Sequence, residues 1–288
     1  MHHLIVGYGY CGHYLARQLL AQQQRVTAIS RHLSASMQLP GLNHLAHDIN
    51  KPLQWQEEDT ILYYLIPPQP TGEDDHILQQ FLAINTFSPA KVVYLGSSAV
   101  YGDYQGAWID EQALCPITSA KQSRRLNAEQ QWLTFCQQQM IDCLILRVAG
   151  IYGPQRLPLE AAIAKIPLIA PTVAPYTNHI YVKDLANIVR QLAMKPTIRG
   201  IYNIADGEPT LLGSLQQQVA KALKLEPAAY ENWEQAWERA SPMKKEFMQA
   251  SKRLCIKALE TALGQDLHLT SLTDAIRDSL GAVDILPA

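Results

Sequence analysis

The residues whose types and spacing carry the clearest chemistry form the turn Gly7-Tyr8-Gly9-Tyr10-Cys11-Gly12. This turn follows a short apolar run at residues 3–6 and opens a helical stretch, which is the context a dinucleotide-binding turn requires. In such a turn the first glycine permits the tight bend, the second lets the backbone approach a pyrophosphate, and the third lets the helix pack on the strand. The helix N-terminus adds free N–H groups and the positive end of a dipole. The spacing therefore predicts that the pyrophosphate of a nicotinamide dinucleotide is bound by Gly7, Gly9, Tyr10, Cys11 and Gly12.

The end of the second predicted strand, at residues 25–29, indicates which ribose the site prefers. NAD sites usually place a carboxylate there for the 2′-hydroxyl, whereas this strand is followed by Ser30 and Arg31. A guanidinium suits a 2′-phosphate, so the sequence favours NADP(H) over NAD(H), the alternative being that Arg31 is a solvent-exposed loop cation. Asp48, after the third strand, either accepts a hydrogen bond from the adenine amino group or is an ordinary turn aspartate.

The composition excludes several classes of function. A net charge of −2 over 288 residues offers no field for nucleic acid or an anionic membrane, and no apolar segment is long enough to span a bilayer. No N-terminal stretch resembles a signal peptide. The five cysteines are scattered and form no CxxC pair, and the nine histidines show no ligand spacing. We therefore expect a cytoplasmic protein with reduced thiols and no metal.

The elements that must position these residues alternate between short β-branched runs and helices, which predicts an α/β fold with a Rossmann-type doubly wound parallel sheet. The predicted strands are residues 3–6, 25–29, 45–46, 60–65, 91–95 and 143–148, and a long polar helix covers residues 118–139. Prolines interrupt the chain after residue 154, and it is mostly helical from residue 210. We expect a dinucleotide-binding domain at residues 1–156 and 176–206, with a small, mostly helical C-terminal substrate lobe at residues 157–175 and 207–288.

Four later segments occur in the order and spacing of one known family. They are Ser97-Ser98-Ala99-Val100-Tyr101-Gly102, Leu146-Arg147-Val148-Ala149-Gly150-Ile151-Tyr152-Gly153-Pro154, His179-Ile180-Tyr181-Val182-Lys183-Asp184-Leu185-Ala186 and Tyr202-Asn203-Ile204-Ala205-Asp206. With the glycine turn, they resemble the NAD-dependent epimerase/dehydratase family of the extended short-chain dehydrogenase/reductase superfamily, over roughly residues 1–210. The Gly-x-Gly-x-x-Gly form of the turn resembles an atypical branch described as nucleoside-diphosphate-sugar epimerase-like.

The resemblance implies a mechanism in which a serine and a tyrosine act on a substrate hydroxyl or carbonyl while hydride moves to or from nicotinamide. Ser97 matches the catalytic serine. The substrate, a nucleotide sugar or a similar small molecule, is expected near Ser98, Arg147, His179 and Asn203. Relatives often pair through the helix that includes Trp132, so a homodimer is a further expectation.

One expected motif is missing. The family's Tyr-x-x-x-Lys supplies a phenol whose pKa a lysine lowers from about 10, but no tyrosine of this chain has lysine four residues later. Alignment on Glu129 puts Arg125 at the lysine position and Lys121 at the tyrosine position. Arg125 can bind ribose hydroxyls but cannot exchange protons. Lys121 is either a general acid–base or a solvated helix lysine, and a phenol from Tyr101 or Tyr104 is the other source of a proton.

Two functions remain open on this sequence. The first is an NADP(H)-dependent oxidoreductase or epimerase. The second is a non-catalytic NADP(H)-binding sensor or scaffold, which the loss of Tyr-x-x-x-Lys favours; flavin binding through the same turn is a weaker third interpretation. In the C-terminal lobe, Lys252 or Arg253 lies where related proteins place a basic contact to a substrate phosphate.

Overall fold

The computed structural model describes residues 1–57 and 59–282, so the end of the predicted substrate lobe, residues 283–288, lies outside the described part. The strands, in chain order, are β1 (His2–Val6), β2 (Arg25–Ser30), β3 (Asn43–Ala46), β4 (Thr60–Tyr64), β5 (Lys91–Ser97), β6 (Trp108–Ile109), β7 (Asp142–Val148), β8 (Gly150–Tyr152), β9 (Leu168–Ile169), β10 (Tyr176–Thr177), β11 (His179–Tyr181), β12 (Gly200–Ile204), β13 (Thr210–Leu211), β14 (Tyr230–Glu231) and β15 (Arg253–Leu254). The helices are α1 (Tyr10–Ala21), α2 (His76–Ile84), α3 (Ala120–Gln139), α4 (Leu159–Ile163), α5 (Val182–Met194), α6 (Ser214–Ala222), α7 (Trp233–Arg239), α8 (Pro242–Met248), α9 (Lys257–Leu263) and α10 (Leu272–Gly281).

The central sheet has seven strands in the order β12-β7-β5-β4-β1-β2-β3, and every pairing in it is parallel. The chain moves outward from β1 in one direction and then returns to build the other half, which is the doubly wound arrangement. The predicted fold class is confirmed. In open sheets of this kind ligands bind beyond the carboxyl ends of the strands, near the point where the strand order reverses.

Helices cover both faces of the sheet because its strands are apolar on both sides. One core joins the sheet to α1, α5 and α9, and the other joins it to α2 and α3. Trp132 of α3 is fully buried in the second core, against Tyr64 and Phe81. This buried side chain is therefore not available to the predicted homodimer contact, for which only exposed parts of the helix are open.

Most of the remaining short elements lie in the segments predicted as the substrate lobe, whereas β6, β8, β10 and β11 lie in the predicted dinucleotide-binding domain. Helix α6 packs against α4 and α10, and α7 packs against β9. Helix α9 instead packs against α5 and β12, with Leu259 and Leu263 in the core of the sheet. Strand β15 pairs with β6, which joins the C-terminal part of the chain to the loop after β5.

Two features are absent from the described residues. None of the helices there combines the length and the apolar character that crossing a membrane requires. Within the same residues, no three His, Cys, Asp or Glu side chains form a group that could hold a metal ion.

Candidate cofactor and active site

The glycine turn joins β1 to α1, and each of its three glycines meets a different physical demand. Gly7 has φ +97°, a left-handed conformation that favours glycine, and a Cβ there would lie 2.6 Å from Ile66 Cγ1. A Cβ at Gly12 would lie 3.3 Å from both Gly7 O and Ile5 Cγ2, so this glycine lets the helix approach the strand. A Cβ at Gly9 would meet nothing within 4 Å. The turn therefore keeps open space over Gly9, where a pyrophosphate approaches the backbone.

The N-terminus of α1 faces the same space. Helix α1 begins at Tyr10, and no side chain caps its first N–H groups. The Tyr10 hydroxyl donates to Pro154 O at 2.9 Å, and the Arg156 guanidinium lies over the Tyr10 ring, 4.0 Å from its centroid. Burial raises the pKa of the Cys11 thiol, so this side chain stays protonated and uncharged. Open space, uncapped N–H groups and a nearby cation together fit a dinucleotide pyrophosphate.

The residues predicted to contact the adenosine half lie at the ends of β2 and β3. The Ser30 hydroxyl is 2.7 Å from both His32 O and His44 Nε2. Arg31 is exposed at the carboxyl end of β2. Asp48 is exposed, and its Oδ1 accepts hydrogen bonds from the backbone N–H and side-chain amide of Asn50. These bonds lower the pKa of the Asp48 carboxyl. They also form a turn, as in the second of the two alternatives that the sequence left open for Asp48.

Ser97 ends β5, and its hydroxyl has a defined donor pattern. Ser97 Oγ accepts hydrogen bonds from Ala99 N at 3.3 Å and from Arg125 Nη1 at 2.9 Å. Because the oxygen accepts both bonds, its own O–H is free to donate to a ligand. Desolvation lowers the pKa of the Arg125 guanidinium, which remains a cation in proteins. Ser98 follows, half-buried, in the 3₁₀ turn Ser98–Tyr101.

Lys121, at the position of the missing tyrosine, forms an ion pair that sequence spacing could not show. Its Nζ lies 2.5 Å from Glu246 Oε2, and both side chains are substantially exposed. Glu246 belongs to α8 in the C-terminal part of the chain, 125 residues away. The structure thus brings a carboxylate to the tyrosine position that no motif predicted.

Several motif residues form a buried network next to the end of β5, the strand that carries Ser97. Glu129 and Arg147 are 2% and 5% exposed, and Arg147 Nη2 donates to Glu129 Oε2 at 2.8 Å. The Arg147 guanidinium lies 4.8 Å from the centroid of the Tyr101 ring, whose hydroxyl donates to Asn203 Oδ1 at 2.8 Å. Glu129 Oε1 also lies 3.4 Å from where a Cβ on Gly96 would be, which ties the network to the end of β5.

These contacts bear on three predicted roles. Tyr101 and Asn203 are fully buried, and burial raises the pKa of the Tyr101 phenol to about 12. Arg147 has its charge satisfied inside the protein. The substrate contacts of Arg147 and Asn203 and the proton donation by Tyr101 stay predictions, and in this structure the polar side-chain groups of all three bond to protein groups. The alternative phenol, Tyr104, has its hydroxyl bonded to Leu114 O at 2.6 Å.

His179 and Lys252, two other predicted substrate contacts, have pKa values that burial lowers. Burial lowers the pKa of His179 to about 4, so its imidazole is neutral at pH 7. Lys252 is 6% exposed, and its Nζ donates to Gly102 O at 2.8 Å, in the loop that follows the Ser97 turn. Burial also lowers the pKa of Lys252 to about 8. Arg253, the other candidate there, lies between the rings of Trp108 and Tyr176.

Asp206 is a titratable group at this edge that was not predicted as a site residue. It follows β12, and burial raises the pKa of its carboxyl to about 6. Its Oδ1 accepts a hydrogen bond from Glu208 N at 3.1 Å. Its place after the carboxyl end of β12, a strand of the main sheet, could be predicted from the sequence, but its burial could not.

Comparison with known proteins gives a family match to the middle of the chain. Residues 76–205 match the model of the NAD dependent epimerase/dehydratase family. This segment contains Ser97, Arg125 and the Arg147 and Asn203 motifs, so the predicted resemblance is confirmed over the later motifs, and the glycine turn lies outside the matched residues.

Among curated proteins, the chain is similar to protein YeeZ of Escherichia coli (strain K12), with 29% identity over 142 residues. The match covers 49% of each chain, so it spans about half the length of the curated relative. Among solved structures, the chain resembles a functionally unknown conserved protein from Silicibacter pomeroyi, with 26% identity, a TM-score of 0.78 and coverage of 97% of this chain and 98% of that one.

A second solved structure is the UDP-glucose 4-epimerase of Thermus thermophilus in complex with NAD. It is 17% identical, with a TM-score of 0.74 and coverage of 98% of this chain and 100% of that one. At this identity the likeness concerns the fold alone.

Proposed function

We propose that the protein is an NAD(P)-dependent oxidoreductase or epimerase that acts on a nucleotide sugar or a similar small molecule, because its residues 76–205 match the model of the NAD dependent epimerase/dehydratase family. The observation that carries this proposal is that two features lie at the carboxyl ends of strands in the same parallel sheet. The open glycine turn follows β1, and the Ser97 hydroxyl, held by Arg125, ends β5 two strands away. When bound, the nicotinamide ring supplies or accepts hydride there.

The residues of the chain divide the work as follows. Gly7, Gly9 and Gly12 shape the pyrophosphate cradle, and Ser97 donates its O–H to the substrate oxygen at the reacting carbon. Arg125 keeps the Ser97 lone pairs engaged and adds positive charge, which stabilises negative charge developing on that oxygen.

We propose NADP(H) as the preferred cofactor. Arg31 is exposed at the end of β2, where the adenosine ribose lies in dinucleotide folds, and no carboxylate ends that strand. A guanidinium there recognises a 2′-phosphate.

We also propose that segments 157–175 and 207–282 close over the substrate. We further propose a cytoplasmic location. All five cysteines of the chain are free, which supports a reducing compartment of this kind.

The test begins with cofactor binding, monitored by NADPH or NADH fluorescence on the purified protein. Turnover is then measured as the change in reduced-nicotinamide absorbance, and by chromatography of isomerised products, with nucleotide sugars and small carbonyl compounds. We expect Ser97→Ala to lower turnover by about 10²–10⁴-fold without weakening cofactor binding.

The matched control is Ser123→Ala on α3, which lies outside the site. Cofactor binding without turnover on any compound would favour the alternative, a non-catalytic NADP(H) sensor or scaffold. Absence of cofactor binding would overturn both functions.

A further inference from the structure

Helix α3 presents two cations to the active-site edge. Lys121 and Arg125 are four residues apart, so they project from the same side of the helix about one turn from each other. Arg125 reaches Ser97 Oγ at 2.9 Å, and the described residues place no carboxylate within ion-pair distance of its guanidinium. Its single hydrogen bond leaves most of its donors for a ligand.

One carboxylate interacts with both cations. Glu246 of α8 contacts Lys121 at 2.5 Å, and its negative charge also acts on the Arg125 guanidinium, where it opposes the lowering of the pKa by desolvation. Side-chain exposures of 39% for Lys121 and 54% for Glu246 mean that water screens the pair. An exposed ion pair of this kind contributes little to stability and is readily exchanged for another anion.

We propose that Lys121 and Arg125 bind a carboxylate of the substrate, at the place where the Glu246 carboxylate lies in this structure. The inference rests on the proposed function and names its substrate class, a nucleoside diphosphate uronic acid. A carboxylate fits better than a neutral hydroxyl because the pair has two adjacent cations, and because the group already seated there is itself a carboxylate. Its nearness to Ser97 places the acidic end of the sugar, and not the diphosphate, beside the reacting atoms.

Glu246 then acts as an internal competitor. It neutralises Lys121 in the absence of substrate and must leave when a uronic acid enters. A neutral sugar would leave the Lys121–Glu246 pair in place and gain nothing from the two cations. Alignment on Glu129 keeps a basic residue, Arg125, at the family's lysine position and puts a second one, Lys121, at the tyrosine position, and this proposal explains the added positive charge.

The experiment measures the dissociation constants of UDP-glucuronic acid and UDP-glucose by calorimetry, on protein saturated with NADPH. We expect the acidic probe to bind at least about tenfold more tightly, since charge-assisted hydrogen bonds to a carboxylate exceed those to a hydroxyl. Lys121→Met removes most of this preference, because it weakens UDP-glucuronic acid binding more than UDP-glucose binding. Glu246→Gln removes the competitor and strengthens UDP-glucuronic acid binding several-fold.

The matched controls are Lys257→Met and Glu238→Gln, exposed residues of α9 and α7 that should leave both constants unchanged. Equal affinity for the two probes, or a loss with Lys121→Met that is the same for both, would overturn the subsite. If neither sugar binds while NADPH does, the substrate class is wrong and the cofactor proposal stands. If NADPH itself fails to bind, the proposed function is wrong and this inference falls with it.

Discussion

Arg125 Nη1 donates a 2.9 Å hydrogen bond to Ser97 Oγ, and this contact defines the chemistry that the site retains. Arg125 stands at the family's lysine position, and a guanidinium stays charged where a lysine can exchange a proton. With Ala99 N as the second donor, Ser97 accepts twice and keeps one proton to donate. In the proposed reaction this pair polarises the substrate oxygen, and the proton that accompanies hydride transfer is exchanged with another group or with solvent.

The space over Gly9 gives a prediction about the cofactor. Gly9→Val should keep the fold, because a Cβ there meets nothing within 4 Å, but its side chain should fill the pyrophosphate position. We expect NADPH affinity to fall by about 100-fold or more, since both close approach and the helix N-terminal contacts are lost. Fluorescence titration measures this, and thermal melting checks the fold. Gly281→Ala, at another uncrowded glycine, is the control. Unchanged affinity in Gly9→Val would place the dinucleotide elsewhere.

The charge at Arg31 gives a prediction about cofactor choice. Arg31→Ala should raise the Kd of NADPH by about 10–100-fold, because a charge-assisted contact to the 2′-phosphate is lost. The Kd of NADH, which lacks that phosphate, should stay within about twofold. Titration of both cofactors tests the prediction, with Arg17→Ala, an exposed arginine of α1, as control. An equal loss for both cofactors would contradict the NADP(H) preference.

The buried Glu129–Arg147 pair gives a prediction about stability. Glu129→Leu leaves the Arg147 guanidinium buried and uncompensated, so we expect the free energy of unfolding to fall by about 3–5 kcal/mol. Adding Arg147→Met should recover much of the loss, because an apolar pair needs no counter-charge. Urea unfolding measures both variants.

The control for that experiment is Arg277→Met, which breaks the exposed pair with Asp274 and should cost no more than about 1 kcal/mol. A double variant as unstable as Glu129→Leu alone would show that the loss of stability does not come from the uncompensated charge of Arg147.

Asp206 gives a prediction about pH. Burial raises the pKa of its carboxyl from 3.8 to about 6, so the folded state binds this proton more readily than the unfolded chain. Its contribution to stability is fully present below about pH 4 and is lost as the pH rises through about 6. Asp206→Asn keeps the acceptor for Glu208 N and avoids the charge. It should therefore exceed the wild type by about 1–2 kcal/mol at pH 8 and match it at pH 4.

Urea unfolding across this pH range follows the difference between wild type and variant, in which the other titrating groups cancel. Asp74→Asn, at an exposed loop aspartate, should show no such trend. A constant difference between Asp206→Asn and the wild type at all pH values would mean that the carboxyl titrates normally.

The sequence by itself determined the features that depend on neighbours along the chain. The glycine spacing fixed the turn, because the tight bend, the approach to a phosphate and the helix packing each act within six residues. Alternating apolar runs and helices were enough to predict the parallel sheet, since its central strands, such as β1 and β4, are buried on both faces. The replacement of tyrosine by Lys121 and of lysine by Arg125 was equally visible.

Only the tertiary structure decided what those side chains meet. Glu246 reaches Lys121 from 125 residues away, and no local pattern encodes a contact that depends on how α8 folds back over α3. Arg147 and Asn203 stand in motifs that suggested substrate contacts, yet packing buries both, on strands next to the end of β5 and one strand beyond it. Residue types and spacing set which chemistry is available, whereas burial and long-range pairing decide which groups are left free to perform it.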